Sequence, residues 1–318
     1  MTGLVYRLYA RAGADRLVWR CNGQRLRILV YHGICEDHLA AEPWIPSAFV
    51  SRSAFARQLE YLRREASVLP LEEAAARLAE GSLPPRAVSL TFDDGYANNL
   101  RLGIPLLRQY GAHATVFLSS HYVESGEMFP FLKLKLIRQM LRDRMAAGLP
   151  DYETTPIDCV RDGLAPWWAE AEPRLGGVQR EALRPMSVDE VRSADRGVVS
   201  FGAHSDTHCI LRNEDDGRRR REVALSLEKV GVWSGRPVRA FAYPNGQAGD
   251  FGETDKQALR DAGVRVALSG IPGTNGPDTD FLELRRYPIG KWHDAARFAA
   301  EVTGFSSTAR RLARSWHV

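Results

Sequence analysis

Two short stretches hold the residue types best suited to chemistry. In the first, Thr91-Phe92-Asp93-Asp94-Gly95, the apolar run Ala87-Val88-Ser89-Leu90 ends in two adjacent carboxylates. Side chains alternate faces along a strand, so consecutive acids share a site only where the strand gives way to a loop, and Gly95 supplies that break. One acid can then hold a cation while its neighbour moves a proton, which is a common use of two acids in unlike surroundings. Alone, an Asp-Asp-Gly is an ordinary solvated turn. The second stretch, His204-Ser205-Asp206-Thr207-His208, changes the balance because it follows another strand end, Ser200-Phe201-Gly202-Ala203. Imidazoles four residues apart meet on one face of a helical turn, close enough to grip one ion. Two histidines and a carboxylate form a ligand set that leaves coordination positions open, so the two stretches together predict a divalent metal site.

A third candidate is His32, delivered at the end of the apolar run Leu26-Arg27-Ile28-Leu29-Val30-Tyr31 and followed by Gly33. His38, His113, His121 and His293 lie in loops or at element starts and read as structural or exposed, with His121 near enough to a strand end to touch a ligand. Trp44, Tyr122 and Trp292 have the flat faces that suit a sugar ring, although packing is the commoner use of such side chains.

The elements that must position these residues alternate. Strands are predicted over 26–31, 87–92, 114–118, 198–203, 238–243, 264–268 and 282–287, and helices over 53–64, 71–78, 98–110, 187–194, 218–233 and 254–262, with further helices from His293. Strands separated by helices imply an α/β chain with a parallel sheet. The stretch 124–185 breaks this rhythm with a charged helical run over 131–144 and an aromatic turn at Pro166-Trp167-Trp168, and reads as an insertion over the mouth of the sheet. At 318 residues, 44% hydrophobic and 26% charged, the composition is that of a soluble globular protein. A net charge of +4 without a basic block argues against nucleic acid as a partner. Cys21, Cys35, Cys159 and Cys209 show no paired short spacing, so neither a disulfide framework nor a CxxC zinc site is expected. The basic amphipathic segment 1–25 has no uninterrupted apolar core and does not read as a secretory signal. That segment and 309–316 suit either packing on the body or a peripheral seat on an anionic membrane surface.

With TFDDG and HSDTH in this order on a βα chain, the sequence resembles the polysaccharide deacetylase family, also called carbohydrate esterase family 4 or NodB-homology. The likeness runs from Leu26 to about Ile289 and includes Phe241-Ala242-Tyr243-Pro244-Asn245-Gly246 at the third motif. It implies a distorted (β/α) barrel of about seven strands over 26–292, with 124–185 as a helical insertion and 293–318 as a helical tail. It also implies hydrolysis of N-acetyl groups on an amino-sugar polysaccharide or lipid-linked saccharide. The implied cofactor is a divalent metal, zinc ahead of cobalt or nickel, held by Asp94, His204 and His208. Asp93 becomes the general base, and the amide of Asn245, in the turn set by Tyr243 and Pro244, becomes the oxyanion donor.

Two departures from the family pattern stand out. Ala242 occupies the place of an arginine that pairs with the base, and Leu268-Ser269-Gly270 lacks the histidine that supplies the acid. A subgroup with permuted motifs, which includes biofilm poly-N-acetylglucosamine deacetylases, takes the acid from an N-terminal Tyr-His, matched here by Tyr31-His32. It takes the arginine from near the end of the domain, matched by Arg286 with Arg285 as its rival. Such an enzyme without a secretory signal is expected in the cytoplasm, peripheral to the inner face of the membrane. A hydrolase of small non-sugar amides and a non-catalytic saccharide-binding protein share the motifs and remain the alternatives.

Overall fold

The computed structural model describes residues 6, 18–19, 24–141 and 148–305. Most of the N-terminal segment 1–25, Cys21, the end of the charged run expected to reach Arg144, and the basic stretch 309–316 lie outside the described residues.

Seven strands form one parallel sheet: β1 Arg27–Tyr31, β2 Ala87–Phe92, β3 Ala114–Leu118, β4 Val199–Ala203, β5 Ala240–Ala242, β6 Val266–Leu268 and β7 Tyr287–Pro288. Their order is β7-β1-β2-β3-β4-β5-β6, and a two-residue strand, Ser67–Val68, adds to the flank of β2. The register pairs Leu29 with Leu90, Leu90 with Ala114, Val116 with Phe201 and Phe241 with Ala267. Each of the first four strands is buried along its whole length, which is why each reads as a nearly continuous apolar run. The sheet curls into a half-barrel whose edges almost meet. Leu284 donates its amide to Ala267 O at 2.9 Å and accepts from the Ser269 amide at 2.8 Å, tying the chain before β7 to β6.

The strand expected over 282–287 is therefore shorter than predicted. Alternation there is real, with Leu282, Leu284 and Arg286 buried and Arg285 exposed, but only a single bridge, Leu268 to Leu284, precedes the ladder at Tyr287. Helices cover the outer face, and Arg52–Glu65 shows the logic: Ser51 caps its first turn and Phe55, Leu59 and Leu62 face the core. Leu71–Ala79 instead packs Leu71, Ala74, Ala75 and Leu78 against Ile28, Phe117, Ala242 and Leu268, filling the barrel's interior.

The insertion is helical through Pro130–Met140 and Ile157–Ala171. Pro166 does not make the expected turn, because it lies inside the second of these helices. Val160, Leu164 and Ala171 keep one face of that helix buried against Leu134, Ile137 and Leu141, with Trp167 and Trp168 packed at the margin, and this cluster outweighs the hydrogen bond that proline removes. Among the described residues no helix is long and apolar enough to cross a membrane.

Candidate metal centre and active site

In a parallel sheet all strands end on one side, and the loops leaving those ends build the site. Alternation places Ser89, Thr91 and Asp93 on the inner face of β2. The Asp93 amide donates to Tyr31 O at 2.9 Å, the last rung shared with β1. Asp94 and Gly95 then turn the chain through left-handed conformations, with φ of 69° and 82°. A Cβ on Gly95 would stand 2.5 Å from Leu118 Cδ2, so both dihedral and space demand glycine. The result divides the acids: Asp93 points down into the barrel and Asp94 across it. A neighbouring segment props the turn, with the Met186 amide on Gly95 O at 2.8 Å and the Ala97 amide on Arg184 O at 3.1 Å.

Asp93 receives both arms of Arg286, Nη1 to Oδ1 and Nη2 to Oδ2, each at 2.7 Å. Arg286 Nε is fixed on Ser269 O at 2.8 Å, and both partners are almost fully buried. Burial by itself raises the Asp93 pKa, but the Arg286 guanidinium, then His204, outweigh it and hold the carboxyl below the usual carboxylate range. Arg285, one residue earlier, is exposed, as alternation requires of one member of the pair.

After β4 the chain does not form the helical turn expected for 204–208. Ser205 and His208 each take φ of 56°, and no helix includes them. Tertiary hydrogen bonds set this path. The His204 amide extends the ladder to Leu118 O at 2.9 Å, the His121 amide holds Asp206 O at 2.9 Å, and Thr207 gives both its amide and its hydroxyl to the buried carboxylate of Glu222 at 2.8 Å. Arg218 balances that carboxylate at 2.9 Å.

The loop nonetheless brings the imidazoles together, with centroids 4.8 Å apart and planes at 81°. His204 Nε2 and His208 Nε2 stand 3.6 and 3.0 Å from Asp94 Oδ1. Ligands about 2.1 Å from a zinc-sized ion would stand roughly 3–3.5 Å apart, so these spacings fit the edges of a coordination shell. The far nitrogens set the tautomers. His204 Nδ1 faces the carbonyl of Ala242 at 2.7 Å, and His208 Nδ1 faces the Tyr152 hydroxyl at 2.5 Å, whose own proton goes to His208 O at 2.5 Å. With each Nδ1–H donating outward, both Nε2 lone pairs face inward. They meet Asp94 Oδ1, which is buried and takes no hydrogen bond among the described residues. Two lone pairs around an orphaned carboxylate oxygen repel one another unless a cation lies among them, so the donor set fits a divalent ion. Burial keeps His208 low in pKa and therefore neutral, whereas at His204 burial is outweighed by Asp93 and Asp94.

Asp93, Asp94, His204, His208, Arg286, His32 and Asn245 all line one cavity of about 550 Å³. His32 is partly buried, and its Nδ1 has no hydrogen-bond partner among the described residues. Asn245 takes φ of 57° and its amide likewise meets no acceptor there. The turn beneath it is tight: a Cβ on Gly246 would fall 2.7 Å from Gly270 N. Pro244 and Tyr243 are outside the lining, and Tyr243 stacks on Phe251 at 3.9 Å while its hydroxyl donates to Leu282 O, so it supports the turn and does not reach a ligand. Trp44 and Tyr122 are buried in the insertion's core, which removes them as sugar platforms, whereas Trp292 is 40% exposed. His121 bonds Arg161 away from the cavity, and His293 accepts from the Gly290 amide. Sequence reasoning missed Tyr152, Glu222, Lys135 and Lys291. Only Tyr96, beside Gly95, had a signal in its position, and it too lines the cavity.

A family model described as polysaccharide deacetylase matches residues 80–155. YxkH of Bacillus subtilis (strain 168), provisionally named a polysaccharide deacetylase, is 31% identical over 151 residues, which make up 46% of this chain and 48% of that protein. The chain thus aligns with about half the length of this curated relative. Among solved structures, Streptococcus pyogenes deacetylase PplD in complex with acetate superposes with a TM-score of 0.62 at 18% identity, over 87% of this chain and 98% of PplD. A de-N-acetylase from Aggregatibacter actinomycetemcomitans gives 0.60 at 17%, covering 87% and 99%, and IcaB from Ammonifex degensii gives 0.59 at 19%, covering 88% and 98%. At these identities the structural likeness is one of fold.

Proposed function

On the family model over residues 80–155 and the likeness to YxkH, we propose that this chain is a member of the polysaccharide deacetylase family and a metal-dependent hydrolase of non-peptide carbon–nitrogen bonds that removes N-acetyl groups from an amino-sugar polysaccharide or a lipid-linked saccharide. The observation that carries the proposal is the convergence of two inward Nε2 lone pairs on the orphaned Oδ1 of Asp94, beside a carboxylate that Arg286 keeps ionised. Residues 26–292 act as the catalytic domain in this reading.

Asp94, His204 and His208 would hold the ion, with zinc the first choice for two imidazoles and one carboxylate. When bound, the metal supplies a Lewis acid that polarises the amide carbonyl and makes water a better nucleophile. Asp93 takes the proton of the attacking water, and the Arg286 fork both aims its oxygens and excludes the protonated form. The Asn245 amide, held without an acceptor at the cavity edge, stabilises charge developing on the carbonyl oxygen. An amine leaves poorly unless protonated, and His32, which lines the same cavity, would give that proton.

Asp93→Asn tests the assignment. Acetate release from an N-acetylglucosamine oligosaccharide should fall by about 10²–10⁴-fold, the usual worth of a general base, while calorimetry shows the oligosaccharide and one zinc still bound. Unchanged release would remove Asp93 as the base, and saccharide binding without turnover in the unaltered protein would leave a binding protein in place of an enzyme.

A further inference from the structure

The chain's lysines are Lys133, Lys135, Lys229, Lys256 and Lys291. Three of them are matched to carboxylates: Lys133 to Glu127 at 3.3 Å, Lys229 to Glu124 at 2.8 Å and Asp206 at 3.2 Å, and Lys256 to Asp280 at 2.9 Å and Glu283 at 2.5 Å. The remaining two, Lys135 and Lys291, form no ion pair among the described residues, and both line the catalytic cavity. They arrive from elements far apart in sequence, Lys135 from the insertion helix Pro130–Met140 and Lys291 from the loop after β7.

Both lysines converge on one short loop. Lys135 Nζ donates to Ile45 O at 2.8 Å, and the Lys291 amide donates to Ser47 O at 3.0 Å. Ile45, Pro46 and Ser47 form that side of the cavity wall. An ammonium group has three donors, and Lys135, which lines the cavity, uses one of them on the protein among the described residues. The shared loop at Ile45 and Ser47 brings the two cations to one side of the cavity, and burial, then the charge of Lys291, hold the Lys135 pKa below its ordinary value. The other charged groups of the lining do not relieve this repulsion. Asp93 is taken by Arg286, Asp94 faces the histidines, and Glu153, an exposed residue of the insertion, forms no ion pair with either lysine. Two unmatched cations at the wall of a cavity are a poor arrangement for a neutral ligand and a good one for an anion held between them.

We infer that Lys135 and Lys291 form a subsite for a negatively charged group, phosphate or carboxylate, carried by the saccharide beyond its N-acetyl sugar. This deepens the deacetylase reading and rests on it for turnover. A phosphate would come from a phosphodiester linking the sugar to a lipid or nucleotide carrier, and a carboxylate from a neighbouring uronic acid.

The test uses three probes with the zinc-loaded protein: di-N-acetylchitobiose, N-acetylglucosamine 1-phosphate joined to a short alkyl chain, and a disaccharide of N-acetylglucosamine and glucuronate. Acetate release and calorimetric binding are measured for each, in the unaltered chain and in Lys291→Glu and Lys135→Met. The unaltered protein should favour one or both anionic probes over chitobiose by about tenfold or more, the scale of a charge-assisted contact. Lys291→Glu should reduce that ratio at least as far as unity, and raised salt should reduce it too. Preference for the phosphodiester identifies a carrier-linked substrate, preference for the uronate identifies an acidic polymer, and either supports the subsite. Equal or better handling of chitobiose, or an unchanged ratio in Lys291→Glu, overturns it. Because Lys291 is exposed, that variant folds whether or not Lys135→Met does. If no probe releases acetate, the deacetylase reading fails, and the binding ratio still decides the subsite.

Discussion

At the scale of single residues, the site depends on charges that cannot be separated cheaply. Asp93 and Arg286 are buried together, so Arg286→Met leaves an unpaired carboxylate and should cost about 3–5 kcal/mol of stability in urea unfolding. Asp93→Asn combined with Arg286→Met should restore part of that loss, since the removed partner no longer leaves a buried charge behind. A double variant no more stable than Arg286→Met alone would show that the pair is not coupled. The Tyr152 hydroxyl makes a different kind of contact, because it fixes the outer nitrogen of His208, one of the proposed metal ligands. Tyr152→Phe should weaken zinc binding by about 10–100-fold in calorimetry, as loss of an outer partner of a ligating histidine commonly does. These two residues also mark what the chain reveals and conceals. That Asp93, Asp94, His204 and His208 meet in one cavity was legible from two motifs taken together at separate strand ends, since the acidic stretch alone reads as an ordinary turn. Tyr152 was not, because its value comes from an insertion folding back over a loop more than fifty residues later, and no local pattern encodes that contact. The lysines were hidden for the same reason: an unpaired cation is recognised only once its neighbours are known.

At the scale of elements, strands buried on both faces were read almost residue for residue, as at 87–92 and 114–118, because unbroken apolar runs bounded by turn residues leave little latitude. Loops carrying tertiary hydrogen bonds were misread. The 204–208 stretch has helical spacing between its histidines, yet Leu118, His121 and Glu222 pull its backbone out of the helical region. The acidic turn has a similar dependence on a distant element, since Met186 holds Gly95 just before the helix Val188–Ser193 begins. Ser187 and Glu190 form a capping box there, and Glu190 also takes both arms of Arg184 at 2.7 and 2.8 Å. Ser187→Ala should cost about 1 kcal/mol. The Arg184 contact holds the Glu190 pKa below the usual carboxylate range against the effect of burial. A folded-state pKa that is depressed stabilises the fold above the unfolded value and loses that contribution as pH falls through the folded one. Glu190→Gln should therefore melt below the unaltered protein at pH 7, and the gap should close as the pH is lowered below about 4. A constant gap across that window would mean the carboxylate is not ionised by its arginine partner.

At the scale of the whole molecule, the half-barrel does one thing that its parts cannot: it brings the ends of β1, β2, β4 and β5 and the chain entering β7 to one cavity, with an insertion forming part of the wall. Ala242 stands where the family resemblance leads one to expect an arginine, and here a guanidinium enters the barrel from the opposite edge of the sheet, from Arg286, to meet Asp93. Partner choice belongs to this scale too, because the two lysines that would select an anionic saccharide come from separate elements. Ligand binding to the folded state alone stabilises it by mass action, so one zinc at a hundred times its dissociation constant should add about 2.7 kcal/mol to unfolding. The most direct measurement is the amount of acetate released from an N-acetylated amino-sugar oligosaccharide by chelator-stripped protein as zinc is added back. The account predicts no release from the stripped protein and full recovery at one zinc per chain, with no recovery in Asp94→Asn at the same zinc concentration. Release that survives chelation, or that returns equally in Asp94→Asn, would contradict it.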